Sequence, residues 1–415
     1  MAVYSAVVTT GIYCRPGCTA RPLAHNTRVF GSAAAAEAAG FRACHRCRPY
    51  RTSSPVGSSA PEIVCEAVQL IIGGALDDGG TEAALAQRIG ISPRHLRRLF
   101  LTHLGASPDQ LARSRRAHFA RRLLDDTDLA LLDVAFASGF GSLRQFNRTM
   151  REVFRASPGD LRARRRRADR LAADGGLTLR LPVRPGYDWA AIRSFLTARA
   201  LPLVETVSGD TYRRTITMAG APGLIEVSPG GQEFLLLNVH LPYWEGLIHV
   251  VDRVGRLLAA DVDHGVSIPG RGGIIVPRAW DRFEAGVWAI LAGQPERDRL
   301  LEAFITLLGS RAPGLPGGLT HTFPRPDAVT PDSLRPLGLP EPETTAITAL
   351  AAMPLTDEPA AWTGNHWLAL AAAHLMPAES AASEGPGFGS VYPAKRARAG
   401  TNEAASVVPQ PVASL

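Results

Sequence analysis

Four of the five cysteines fall within the first fifty residues, as Cys14-x3-Cys18 and Cys44-x2-Cys47. Two short pairs of this kind can close around one tetrahedral ion, and Zn²⁺ at ~2.3 Å from sulfur is the default for soft thiolate ligands. The competing closure is two disulfides, which belong to oxidising compartments. Met1 to Val8 carries no basic n-region of a secretory signal, so an intracellular chain holding one Zn²⁺ is the expectation. Cys65 stands alone among Ile63, Val64 and Val68 and is expected in a core.

The chain has 415 residues, 46% of them hydrophobic and 20% charged, which implies two to four domains. Its 45 basic and 38 acidic residues give a net charge of +7. Between Arg88 and Arg170 there are 19 Arg, no Lys and 8 acidic residues, so this segment's charge exceeds that of the whole chain. Double-stranded DNA is therefore the expected partner of that segment. The most apolar late stretch, Ala360 to Ala378, is interrupted by Asn365, His366 and His374. It reads as a buried helix, and no membrane partner is expected.

The same basic segment contains a repeat with a period of 50. Ser92, Leu96, Leu104, Ser107-Pro108 and Leu111 recur as Ser142, Phe146, Phe154, Ser157-Pro158 and Leu161. Each copy has an N-cap serine opening one helix and a Ser-Pro pair opening the next. Ser142 with Gln145 fits a capping box. Thr81 to Gly90 reads as a first helix and Ser92 to Leu104 as a second, with Leu96 and Phe100 turned inward. Arg94, His95, Arg97 and Arg98 then lie outward. In the second copy Phe146, Met150 and Val153 form the buried stripe and Arg144, Gln145, Asn147 and Arg148 the outer face. Arg and Gln near the start of a recognition helix can read guanine and adenine edges, while Arg farther along contacts phosphate. A merely solvated basic helix is the alternative.

These signals divide the chain into a cysteine block at 1–52, a Ser/Pro/Gly linker at 53–61 and an all-α segment at 62–168. Strand-like runs at Leu177–Val183, Arg213–Met218 and Phe234–Leu241, with amphipathic stretches near Trp189–Arg199 and Trp244–Ala260, mark a β-rich α+β segment at 177–263. Helical patterning returns over 278–376, and 377–415 reads as a disordered tail. The fold class is multidomain α+β.

Thr9-Thr10-Gly11-Ile12-Tyr13-Cys14-Arg15-Pro16-Gly17-Cys18, followed by Ala39-Gly40-Phe41-Arg42-Ala43-Cys44-His45-Arg46-Cys47-Arg48-Pro49, resembles the N-terminal zinc domain of the Ada adaptive-response family. The resemblance implies that Cys14, Cys18, Cys44 and Cys47 hold the ion and that Cys14 also accepts a methyl group from a DNA methylphosphotriester, once per molecule. Zinc coordination would keep that sulfur a thiolate. A four-thiolate Zn²⁺ site has a formal charge of about −2, which methylation reduces, favouring DNA. A purely structural zinc knuckle is the alternative. The family's domain begins with a helical segment, whereas Met1 here falls just before Val3-Tyr4-Ser5-Ala6-Val7. An effect on domain stability, but not on the ligands, is the expectation.

The twin helix-turn-helix, with Ala135-Phe136-Ala137-Ser138-Gly139-Phe140 and Phe154-Arg155-Ala156-Ser157-Pro158, resembles the AraC/XylS DNA-binding domain. Residues 177–263 resemble the N-terminal domain of AlkA-type 3-methyladenine DNA glycosylases, and Arg278 to Gln294 the start of their helical domain. That family extrudes an alkylated base and needs a Gly-rich hairpin and an aspartate. Here Glu358-Pro359-Ala360-Ala361-Trp362-Thr363-Gly364 lacks the hairpin glycines, and no Asp stands in Pro377 to Glu384. Glu379 and Glu384 are the remaining carboxylate candidates, and the partial helical domain is read as degenerate or truncated. Tyr187, Trp189, Tyr243 and Trp244 are candidates for a base pocket or simply core.

The resemblances together imply a cytoplasmic, nucleoid-associated alkylation-response protein. It would accept methyl groups, bind DNA sequence-specifically and regulate transcription, with RNA polymerase as a further partner. An active 3-methyladenine glycosylase and a plain AraC-like regulator are the alternatives. No Pro-Cys-His-Arg acceptor motif is present, so repair of O6-methylguanine is not expected.

Overall fold

The computed structural model describes residues 4–20, 22–51, 60–77, 79–171, 176–260 and 279–353. Most of the linker, Arg278, the Trp362 segment, Ala360 to Ala378, Glu379, Glu384 and the tail lie outside them.

The cysteine block is a small mixed sheet. Strands β1 (Tyr4–Val7), β2 (Ile12–Cys14), β3 (Thr27–Phe30) and β4 (Arg42–Ala43) lie in the order β3-β1-β2-β4. The β1–β2 hairpin is antiparallel with Ser5 opposite Cys14, whereas β4 joins β2 in parallel, Tyr13 opposite Ala43. Alternation buries Tyr4, Ala6 and Tyr13, and the Tyr4 and Tyr13 rings meet edge to face at 5.7 Å. Helix α1 (Ala33–Ala38) is capped by Ser32, whose Oγ accepts from the Ala35 N–H.

Seven helices follow: α2 (Glu62–Ile72), α3 (Glu82–Arg88), α4 (Pro93–Leu104), α5 (Pro108–Asp126), α6 (Leu131–Ala137), α7 (Leu143–Phe154) and α8 (Pro158–Ala163). The repeat is two helix-turn-helix units, α3–α4 and α6–α7, each followed by a Ser-Pro helix. Leu96 and Phe100, and Phe146, Met150 and Val153, are buried as their spacing requires. The capping-box expectation at Ser142 needs correction. Ser142 accepts from the Gln145 N–H, but the Gln145 Oε1 accepts from Gly141 N–H, one residue too far back to close the box. Complete boxes occur instead at Ser107–Gln110 and Ser157–Asp160. Cys65 is also not a core residue. It is half-buried at the edge of α2, its thiol donating to the Ala60 carbonyl.

The β-rich segment is a five-stranded antiparallel sheet. Its strands are β5 (Leu177–Pro182), β6 (Glu205–Ser208), β7 (Thr211–Met218), β8 (Ala221–Pro229) and β9 (Phe234–His240), in the order β5-β9-β8-β7-β6. Helices α9 (Trp189–Ala198) and α10 (Leu247–Leu257) accompany it. Tyr187 donates to the Leu258 carbonyl and Trp189 Nε1 to the Asp210 carbonyl. These two, with Tyr243 and Trp244, pack against the core as half-buried side chains. Helices α11 (Arg282–Leu291), α12 (Arg297–Leu308), α13 (Pro331–Leu334) and α14 (Glu341–Ala352) build a further cluster around Phe283, Val287 and Phe304. Arg214 of β7 is buried between Glu205 and Glu284 of α11 and ties that cluster to the sheet.

One hydrophobic cluster runs through three of these parts. It contains Tyr4 and Tyr13 of the cysteine block, Phe119, Leu123, Phe146 and Phe154 of the helical segment, and Leu179, Val239 and Val254 of the sheet segment. Helix α5 is the common spine. No helix among the described residues is long and apolar enough to cross a membrane.

Candidate zinc centre and DNA-reading faces

Local geometry brings the four cysteines together. Cys14 ends β2, and a turn through Gly17, at φ +76°, returns the chain to Cys18. The Cys44 N–H donates to the Tyr13 carbonyl at 2.9 Å, prolonging the parallel β2–β4 ladder, so Cys44 comes beside Cys14. The ligand atoms of Cys14, Cys18, Cys44 and Cys47 all lie within 4.8 Å of one another. A tetrahedron of ~2.3 Å zinc–sulfur bonds has edges of about 3.8 Å. All four thiols are free, with Cys14 and Cys44 buried and the other two half-buried.

The protons are shared unevenly within the cluster. The hydrogen bond between Cys14 and Cys47, and then burial, push the Cys14 thiol far above the ordinary thiol range. The same hydrogen bond lowers Cys47 to about 5. Four adjacent sulfurs cannot all ionise without a compensating cation, and an all-thiolate donor set of this size suits one zinc ion. Cys14 and Cys18, with Arg15 and Val29, line an open concavity at the surface. His45, between Cys44 and Cys47, is lowered by burial and by Arg42, Arg121, Arg164 and Arg48 around it.

On α4, Arg94, His95, Arg97 and Arg98 share one concave face with Ser92 and Leu101. His95 Nδ1 pairs with Arg98 Nη2 at 2.9 Å, and Arg97 lies 3.8 Å from Glu82. On α7, Arg144 and Arg148 are exposed while Gln145 and Asn147 are half-buried. Asn147 donates to the Leu143 carbonyl and Gln145 accepts from Gly141, so both amides are occupied by backbone.

Sequence reasoning missed the groups that fasten the cysteine block to α5. Tyr13 donates to Glu37 Oε1 at 2.6 Å, and His118 Nε2 lies 2.6 Å from the same oxygen. Asp125 and Asp126, at the end of α5, gather Arg51 and Arg121, and Asp126 also pairs with Arg180 of β5. Arg48 pairs with Asp169 at 2.7 Å. Apart from Arg121 and Asp125, an i,i+4 pair on α5, the partners are separated by too many residues for any local pattern to announce them.

Family models match three stretches: "Metal binding domain of Ada" at 2–50, "Helix-turn-helix domain" at 85–164 and "AlkA N-terminal domain" at 178–268. A Mycobacterium tuberculosis protein described as "Probable bifunctional transcriptional activator/DNA repair enzyme AlkA" is 36% identical over 371 residues, covering 84% of this chain and 74% of its own. The Escherichia coli "Bifunctional transcriptional activator/DNA repair enzyme Ada" is 32% identical over 149 residues, 35% of this chain and 41% of its own. The "DNA-3-methyladenine glycosylase 2" of the same organism is 29% identical over 182 residues, 40% of this chain and 64% of its own. Fold and site define a zinc-thiolate protein built onto a twin helix-turn-helix and an AlkA-like sheet domain. The chain belongs to the AlkA/Ada-type family of bifunctional transcriptional activator/DNA repair proteins.

Proposed function

We propose that this chain is an alkylation-response regulator that takes a methyl group from a DNA methylphosphotriester onto Cys14 and regulates transcription of repair genes. The observation that carries it is the cluster of four cysteines in which Cys14 and Cys18 alone line the surface concavity. The resemblance to the Ada family selects Cys14 of these two. Zinc, when bound, holds the sulfurs deprotonated near neutral pH. The Cys14 sulfur attacks the methyl carbon, an S–C bond forms, the C–O bond breaks, and a phosphodiester anion leaves. Cys18, Cys44 and Cys47 would go on holding the ion.

The working partition is the one read from the sequence: zinc domain 1–52, linker 53–61, reader 62–168, AlkA-like domain 177–263, partial helical domain 278–376 and tail 377–415. Arg94, His95, Arg97 and Arg98, with Arg144, Gln145, Asn147 and Arg148, are the proposed DNA contacts. RNA polymerase is the proposed protein partner, and a cytoplasmic, nucleoid-associated setting goes with that role.

Intact-protein mass spectrometry after incubation with methylphosphotriester DNA tests the reading. A methyl increment of about 14 Da is expected on the wild type and on Cys18→Ser if it still holds metal, and none on Cys14→Ala. Loss of the increment from a zinc-loaded wild type would make the cysteines structural. The match to an AlkA N-terminal domain supports a second reading, base excision. Abasic sites formed on methylated duplex, and lost on substituting Glu379 or Glu384, would support it.

A further inference from the structure

Helix α7 carries Arg144, Arg148 and Arg151 at steps of four and three, and Arg155, four residues on, is its C-cap; all four are exposed. Such steps put the Arg144, Arg148 and Arg151 side chains along one side of the helix, over about 10 Å at 1.5 Å per residue. The stripe does not stop at the helix end. Arg155 adopts φ +57°, the left-handed conformation that Gly105 holds fifty residues earlier at φ +69°. In that conformation its guanidinium donates to the Gly40 carbonyl at 3.3 Å, and β4 of the cysteine block packs on α7. Arg42 on β4 and Arg164 at the end of α8 both lie around His45, between two of the zinc ligands.

We propose that Arg144, Arg148, Arg151 and Arg155, continued by Arg42 and Arg164, form one track for the phosphate backbone of a single DNA duplex between the second reading helix and the four-cysteine centre. The inference rests on the DNA-binding reading above and specifies how two domains share one duplex. Arg42, Arg151, Arg155 and Arg164 have no carboxylate ion pair among the described residues. The acids beside the track are Glu152, 3.9 Å from Arg148 and also paired with Arg113, and Asp160, held by Ser157 and near Arg151 and Arg164. Six guanidinium groups against two carboxylates leave a cationic strip. Guanidinium forks suit phosphate oxygens. A backbone track carries no sequence information of its own.

The test uses the full zinc-loaded chain and duplexes of about 25 base pairs, with fluorescence anisotropy over a range of salt. Removing two phosphate contacts lowers the slope of log K against log[salt] by about two. The double variant Arg42→Gln/Arg164→Gln should therefore shrink the affinity lost between 50 and 200 mM salt by about 12-fold. The decline in affinity should be equal for duplexes of different sequence. Arg299→Gln/Arg335→Gln, the same charge change on exposed and remote residues, should leave the slope unchanged. If the first double variant loses zinc or fails to fold, Arg151→Gln serves alone, with a slope change of about one. A wild-type slope in the track variants, an equal change in the remote pair, or a sequence-dependent loss overturns the track. If the wild type binds no duplex, the DNA reading falls as well.

Discussion

Position 105 shows how much one missing Cβ can decide. Gly105 is left-handed at φ +69°, and a Cβ there would sit 3.0 Å from the Ala35 Cβ of the cysteine block. Gly90 is left-handed too, at φ +74°, but nothing lies within 4 Å of its added Cβ. Gly90→Ala should cost about 1 kcal/mol, the conformational penalty alone. Gly105→Ala should cost about 1–2 kcal/mol because Ala35 must also move. Urea midpoints of the two variants check the ordering. The repeat made 105 and 155 equivalent in the sequence, but it could not reveal that Arg155 would accept strained backbone. That depends on the Gly40 carbonyl, 115 residues earlier.

At the scale of elements, helix starts were the most legible feature because their signals are local. Ser92, Ser107, Ser142 and Ser157 all cap helices, as the repeat implied. The caps differ in completeness. Ser107 is buried and its box closes in both directions, while Ser142 receives only one bond. Ser107→Ala should therefore cost about 1–2 kcal/mol and Ser142→Ala about half of that, by urea titration followed by circular dichroism. Equal losses would contradict the geometry. The four zinc ligands were legible for the same reason as the caps, since each pair is a few residues long. The parallel β2–β4 pairing that unites the two pairs was not, because β4 is two residues long and its register is set by strand-to-strand hydrogen bonds. Likewise the Tyr13–Glu37–His118 contact joins positions 24 and 105 residues apart.

Composition shifts suggested separable domains along the chain, yet one core runs through three of them. Interfaces between folded parts leave no periodic trace in a single sequence. The polar counterpart of that core is the junction of Arg48, Arg51, Asp125, Asp126, Asp169 and Arg180. Burial opposes the charge on Asp169, but hydrogen bonds from Arg48 and the Arg166 N–H, with Arg51 nearby, hold its carboxyl below the usual range. A lowered folded pKa contributes stability above the unfolded value of about 3.9, which is lost as pH falls through the folded one. Asp169→Asn should lower stability at pH 7 by about 1–3 kcal/mol, with the gap to wild type closing below about pH 4. Denaturant titrations from pH 3 to 7 check this, and a gap that persists in acid would locate the effect elsewhere.

The Tyr50 hydroxyl donates to Asp125, 75 residues further along the chain. A ribosome adding about 5–20 residues per second delivers that carboxylate roughly 4–15 seconds after Tyr50. The cysteine pairs, complete by residue 47, are synthesised before any of α5 exists. During that interval the nascent chain has all four ligands for its metal while Tyr4, Tyr13 and Tyr50 still lack the helix that covers them, so the aromatic side of the cysteine block stays open to water until α5 arrives.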